Sequence, residues 1–505
     1  MPTYKAPGVY IKENAALPTS VAAVETAIPA FIGYTEKAVK GGQSVTGLPV
    51  RLTSLTEFEH IFGGPPVLQF GLTQSATSQN TGFAHAGNHF GLIRPSPYFR
   101  LYRSMQLYFS NGGGACYVIS AGTYSEKEIA RASLQNALDR LLTEPLPAML
   151  VIPEAVSLKE PDCLTLQQSM LEHCAIQTQR RIAILDIFNG FEPITHSVAA
   201  FRNQINTATT GGFGAAYYPW LNTVLLRSDR LTYTIFDAPA RALLQRIIAH
   251  ELGRLDRQTR ALLDALTEDS TSYHTKQKRP PRQHRRSPDT VDKAFRSLSQ
   301  VYVSAINACA QEVNLLPPSA ALAGIYAKTD MTRGVWKAPA NVSINGVVAP
   351  AETVSEGEQQ ILNDDPDGKS VNTIRAFAGK GTLVWGARTL WGNDLQWRYI
   401  SVRRTCIMLE QSIQKALNAS VFEPNDEQVW MAVEHMIGQF LSGLWRQGAL
   451  AGNTPDEAFY VSCGLGKSMT QADLNADRLV VQLGVAVTKP AEFIVLTIRR
   501  DMHQP

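Results

Sequence analysis

Apolar positions come in short runs near the start of the chain and at helical spacing further on. VAAVETAIPAFIGY, from Val21, and ACYVISAGTY, from Ala115, are rich in Val, Ile, Tyr and Ala and lie among Gly and Pro, which predicts strands. Between Ser125 and Leu142, Ile129, Ala132, Leu134, Leu138 and Leu141 recur at helical spacing. PAMLVIPEA then predicts a short buried strand, and RIAILDIF (Arg181 to Phe188) repeats it after another helical stretch. Strand, helix, strand in that order predicts an α/β domain on a mostly parallel sheet.

The pattern breaks at both ends and once in the middle. The first twenty residues carry prolines at 2, 7 and 18 around an extended run, Gly8 to Lys12, and have too few apolar residues for a core, so they predict an arm leaving the body. Leu266 to Asp292, centred on KQKRPPRQHRRSPD, predicts an exposed loop. From Leu315 to Phe377 the chain reads as loop-rich. Tyr399 to Leu417 predicts a helix. A second opens after Pro424, capped by Asn425 or Asp426, with Trp430, Val433, Ile437, Leu441 and Leu444 on one stripe and an end at Gly448. The partner expected for these helices is a terminal strand pair, RLVVQLGVAV and EFIVLTIRR, joined at Lys489-Pro490.

Composition narrows the class only slightly. A chain of 505 residues, 44% hydrophobic and 18% charged with a formal charge of +3, predicts two to four ordinary folded domains and names no partner by charge. The opening lacks a basic segment followed by an apolar core, so no secretory signal is expected, and no run approaches the ~20 apolar residues of a membrane span. The six cysteines, at 116, 163, 174, 309, 406 and 463, form no CxxC pair and read as buried thiols of a reducing compartment.

Motifs that could carry chemistry fall short on spacing. GLGKS at 464 to 468 ends like a phosphate-binding loop, but the glycine required five residues before Gly466 is Val461; a turn before the next helix fits better. NGGG (Asn111 to Gly114) precedes a strand instead of opening a helix, which predicts a tight turn. His250-Glu251 lacks the second histidine of a zinc protease. His85 and His89 have i, i+4 spacing without a nearby Cys, Asp or Glu, so no metal ligands, catalytic residues or cofactors are expected. Lys276, Lys278, Arg279, Arg282, Arg285 and Arg286 read as a solvated loop, with a contact to nucleic acid or an acidic neighbour as the functional alternative.

Particular strings then outweigh periodicity. YKAPGVYIKE followed by LPTSVAAVETAIPAFIGYTEKA resembles the opening of contractile tail sheath proteins of myophages and extracellular contractile injection systems. SNGGGACYVISAGTY, AAYYPWL, LLPPSAALAGIYAKTDMTRGVWKAPANVSI, NTIRAFAGKGTLVWGARTL, WRYISVRRTCIMLEQSI and KPAEFIVLTI are similar to the same family, in order along the chain. Ser44 to Ser104 and the basic loop are covered least and look like lineage-specific decoration.

The resemblance implies a multidomain mixed α/β protein. An inner α+β domain is formed by both chain ends, and outer domains are inserted between them, one an α/β domain that is subtilisin-like in fold and non-catalytic. On that reading 1–20 is the arm, 21–110 an outer β-rich domain, 111–335 an outer α/β domain carrying the basic loop, and 336–505 the inner domain with an exchange strand at 491–501. It implies a structural subunit, not an enzyme, that stacks as hexameric rings around an inner tube and contracts. Its expected partners are its own copies, the tube protein, and baseplate and terminal cap proteins. It would assemble in a bacterial cytoplasm as part of a phage tail or a released particle. Strand exchange between neighbours is implied for Tyr4, Gly8, Val9, Tyr10 and Ile11 in the arm and for Phe493, Ile494, Val495, Leu496, Thr497 and Ile498 at the other end. An extended arm that cannot fold alone can add a strand to an open sheet edge. Arg398, Arg403, Arg404 and Lys415 lie beside an apolar stripe, and Lys415 with Asn418 are the candidate tube-facing residues. A hydrolase on the middle α/β domain, or a binding module gripping nucleic acid or another partner, are the alternatives.

Overall fold

In the computed structural model the described residues are 20–75, 81–267, 287–418, 421 and 423–492. The arm, the terminal exchange strand and the centre of the basic loop lie outside them. The chain divides into two compact units, Met1–Glu25 with Ser401–Pro505, and Thr26–Ile400.

The larger unit is built on a nine-stranded sheet, in the order Val342–Ser343, Gly381–Val384, Val371–Phe377, Gly214–Tyr218, Ile182–Asp186, Met149–Val151, Pro29–Thr35, Cys116–Thr123, Val50–Leu52. The six strands from Val371–Phe377 to Cys116–Thr123 run parallel, and antiparallel strands finish both ends. Pro29–Thr35 shows why its sequence is a continuous apolar run. Ala30, Ile32 and Tyr34 join one buried cluster with the helices Arg131–Arg140 and Glu160–Glu172, while Phe31 joins another with the helices Leu101–Ser110 and Ser319–Arg333. A strand covered on both faces has no polar side to alternate with.

A third cluster lies apart from the sheet. Phe70 and, from a three-stranded antiparallel sheet (Gly71–Ser75, Asn88–Ile93, Gly82–His85), Leu72, Phe83, Phe90 and Leu92 pack on Leu244, Ile248, Leu263, Phe295 and Ile306 of four helices between Ala238 and Asn314. Both segments with the weakest family resemblance thus contribute to one module with its own core.

The boundaries expected at 110/111 and 335/336 fall inside the nine-stranded sheet. Its strands come from both sides of each boundary, because distant segments complete one hydrogen-bonded ladder. The stretch after Leu315, expected to be loop-rich, contains the helix Ser319–Arg333. Its run of buried small residues, including Ala320, Ala321, Ala323, Gly324 and Ala327, has no polar face, so periodicity alone hides it.

In the smaller unit the helices Ile400–Leu417 and Glu427–Arg446 match expectation closely. Asp426 caps the second through Val429 N–H at 3.0 Å, and Gly448 takes φ 81° just past its end. Val24 N–H donates to Ser412 Oγ at 3.0 Å, tying a residue near the start of the chain to the first helix. RLVVQLGVAV supplies the strand Val481–Val485, which pairs antiparallel with Phe459–Cys463. The strand expected from EFIVLTIRR falls outside the described residues.

Candidate functional site

Open parallel sheets bind ligands outside the carboxyl ends of their strands, where the strand order reverses. Here that point flanks Pro29–Thr35, and the chain's own Glu154 fills it. This carboxylate is fully buried and accepts backbone N–H groups of Leu101 at 2.8 Å, Arg100 at 3.2 Å and Tyr34 at 3.4 Å. It thereby caps the helix Leu101–Ser110, whose first N–H groups lack intrahelical acceptors. Burial raises its pKa to about 7. A Cβ on Gly33 would lie 2.3 Å from Glu154 Oε2, so glycine is the residue that admits the carboxylate. Beside it, the Arg100 guanidinium lies 4.7 Å from the Tyr98 and Trp220 ring centroids and donates to Ser157 Oγ and the Leu315 carbonyl.

Asp186, at the end of a neighbouring strand, behaves similarly. Its carboxylate accepts Ser319 N–H at 2.8 Å and Ser319 Oγ–H at 2.5 Å, and burial raises its pKa to about 7. The serine hydroxyl and the carboxylate meet directly at a helix N-terminus, the geometry of a cap. Above this end lies an open groove of about 770 Å³ walled by Pro65, Pro66, Pro95 and Pro97. Its acids are already engaged: Glu36 accepts Gly64 N–H and Asp237 accepts Ala240 N–H, both at 2.7 Å.

The motifs set aside on spacing have structural roles. A Cβ on Gly113 would lie 2.4 Å from the Tyr108 ring, and Gly112 takes φ 91°; NGGG is a turn whose Gly112 and Gly113 are held to glycine. GLGKS follows the strand Phe459–Cys463, and Lys467 pairs with Glu434 at 3.2 Å before the helix Gln471–Asn475. Glu251 accepts from Ser299 Oγ, Gln300 N–H and Val301 N–H, capping the helix Gln300–Asn314. His85 and His89 sit on a hairpin, not a helix, and among the described residues no three His, Cys, Asp or Glu side chains converge. The cysteines are free, five buried and Cys406 half-buried.

Of the candidate tube-facing residues, Lys415 and Asn418 are both exposed at the end of the helix Ile400–Leu417. Arg403 and Arg404, expected with them, are buried, and Arg398 donates to the Gly392 carbonyl at 2.7 Å. The surface most open to a partner is one sequence reasoning missed. Phe459–Cys463 and Val481–Val485 form a two-stranded sheet with no further strand beside it among the described residues. Only Cys463 is buried in either strand, and Tyr460 is 55% exposed, its ring over Gly484. The signal was FYVSC, an apolar run between Pro455 and Gly464.

Residues 283–390 match the model of the phage tail sheath protein central domain, and 393–500 that of the phage tail sheath C-terminal domain. Over these two segments the chain is similar to phage tail sheath proteins. It is 28% identical over 153 residues to a prophage major tail sheath protein of Pseudomonas aeruginosa, covering 30% of this chain and 38% of that one. With the tail sheath protein of Burkholderia phage BcepMu it shares 28% over 158 residues, 30% of this chain and 32% of the other. Both alignments span well under two thirds of the relative's length. The fold extends further. The contracted helical sheath of the anti-feeding prophage superposes with TM-score 0.62 at 27% identity over 99% of this chain and 100% of that one. The contracted sheath complex of the extracellular contractile injection system PVC gives 0.61 at 25% identity over 99% of each.

Proposed function

We propose that this chain is a sheath subunit that polymerises around an inner tube as stacked hexameric rings and contracts to drive the tube through a target envelope. The observation that carries the reading is the contrast between a large sheet whose edge strands are only two and three residues long and a two-stranded ribbon with five-residue edges, in a chain similar over its whole length to contracted sheaths. An isolated ribbon is marginal in water and gains backbone hydrogen bonds when an extended segment joins its edge. The arm residues Tyr4 to Ile11 and the strand Phe493 to Ile498 of neighbouring copies are the segments we assign to that edge. Lys415 and Asn418 would face the tube.

The grouping of Met1–Glu25 with Ser401–Pro505 supports an inner domain made from both chain ends, and the parallel sheet is our candidate for the subtilisin-like outer domain. Glu154 and Asp186 serve as helix caps, which favours a non-catalytic role. Assembly in a bacterial cytoplasm, with baseplate and cap proteins closing the particle, completes the proposal. Electron microscopy of the full chain with its cognate tube protein tests it: striated hollow cylinders of uniform width are expected, and persistent monomers would count against it.

A further inference from the structure

The hairpin–helix module brings together two histidines that the sequence keeps 165 residues apart. His85 ends the strand Gly82–His85, and His250 lies in the last turn of the helix Ala238–Leu252. Their rings stand nearly perpendicular, at 85°, with His85 Nε2 3.3 Å from His250 Nδ1. Two imidazole nitrogens bound to one tetrahedral zinc at ~2.0–2.1 Å lie about 3.3–3.4 Å apart, so the gap between these two nitrogens, within hydrogen-bond reach of each other, matches the spacing across a shared cation. The helix favours the same occupant, because its C-terminus carries the negative end of the peptide dipole. Glu251, next in sequence, is committed to capping the helix Gln300–Asn314, while His85 is half-buried and His250 exposed.

We propose that His85 and His250 form a two-ligand site for a borderline divalent transition cation, Zn²⁺ or Ni²⁺, with water completing the shell. Binding fastens the tip of the hairpin to the end of the helix and raises the module's stability in proportion to occupancy. The pair differs from the His85 and His89 spacing in sequence: His89 pairs across the hairpin with Ala84, whereas His85 pairs with Asn88 and meets His250.

Titration calorimetry of the untagged full chain with ZnCl₂, repeated with NiCl₂, tests this. One ion per chain is expected at this site, with affinity falling roughly tenfold or more in His85→Ala and in His250→Ala and unchanged in His89→Ala. Added zinc should also raise the melting temperature of the parent chain and of His89→Ala, but not of the other two. Equal losses in all three variants, unchanged binding in His85→Ala and His250→Ala, or no binding at millimolar metal each overturns the site. Circular dichroism of the metal-free variants separates a lost ligand from a lost fold.

Discussion

The nine-stranded sheet and the two-stranded ribbon are built from similar residues and end in opposite states. Antiparallel strands complete both ends of the large sheet, buried clusters cover both faces, and Glu154 and Asp186 close its carboxyl end. The ribbon Phe459–Cys463 with Val481–Val485 is half-covered, and neither outer edge has a strand beside it among the described residues. Open sheet edges invite pairing with another chain, and natural proteins usually block them. The large sheet ends in edge strands of two and three residues, whereas the ribbon leaves five-residue edges available.

Blocking the open edge should have the largest consequence. Ala486 N–H donates to the Ala458 carbonyl, and Tyr460 and Ser462 pair with Gly484 and Gln482. Leu483, between those paired residues, therefore turns its N–H to the outer edge. Leu483→Pro removes that donor, and sheath-like cylinders are expected to vanish in electron micrographs while the thermal transition of the large sheet persists. Cylinders that still form would show that the edge is not where copies join.

The converse change attacks the finished region. Glu154→Ala leaves three buried N–H groups without their acceptor, a loss of about 3–5 kcal/mol in denaturant unfolding. Gly33→Ala, which forces a methyl group against the same carboxylate, should cost less, about 1–3 kcal/mol.

These carboxyls also set a pH dependence. Burial raises Glu154 from 4.5 and Asp186 from 3.8 to about 7. The folded chain therefore retains protons that the unfolded chain releases over that interval. Their contribution is fully present below about pH 4 and is lost as pH rises through about 7, on the order of 3–4 kcal/mol per carboxyl. Unfolding followed from pH 5 to pH 8 should show stability falling, and Glu154→Gln, which resembles the protonated acid, should flatten the slope by about half. An identical slope in the variant would assign the dependence to other groups.

How much of this was legible follows from where each signal resides. The strands Met149–Val151 and Ile182–Asp186 and the helices Ile400–Leu417 and Glu427–Arg446 were read from periodicity, since each carries its own pattern and the second helix its own cap. The open ribbon was half read: Val481–Val485 was found and Phe459–Cys463, upstream across a turn and a short helix, was not, while the strand expected downstream lies outside the described residues. Domain boundaries were misjudged because the sheet recruits strands from residue 29 to residue 384, and ladder partners leave no local trace. Glu154 was invisible for the same reason: its three donors lie 53 to 120 residues away.

The smallest expected effect separates a contact surface from an ordinary solvated helix face. Lys415 and Asn418 are exposed at the end of a helix whose Arg403 and Arg404 are buried, so Lys415 is the exposed cation among those first singled out there. An exposed ion pair contributes about 0–1 kcal/mol, and salt screens it over ~8 Å at physiological ionic strength. Lys415→Glu should therefore weaken co-sedimentation with the tube only a few-fold at low salt, and the difference should shrink as salt rises. Subunit folding and the edge pairing at Leu483 should be untouched, since neither involves this side chain. A weak, screened contact would suit the proposed sheath, which would hold a tube and then slide along it. If charge reversal leaves co-sedimentation and its salt dependence unchanged, the proposed contact with a tube is not made here and this helix end faces only water.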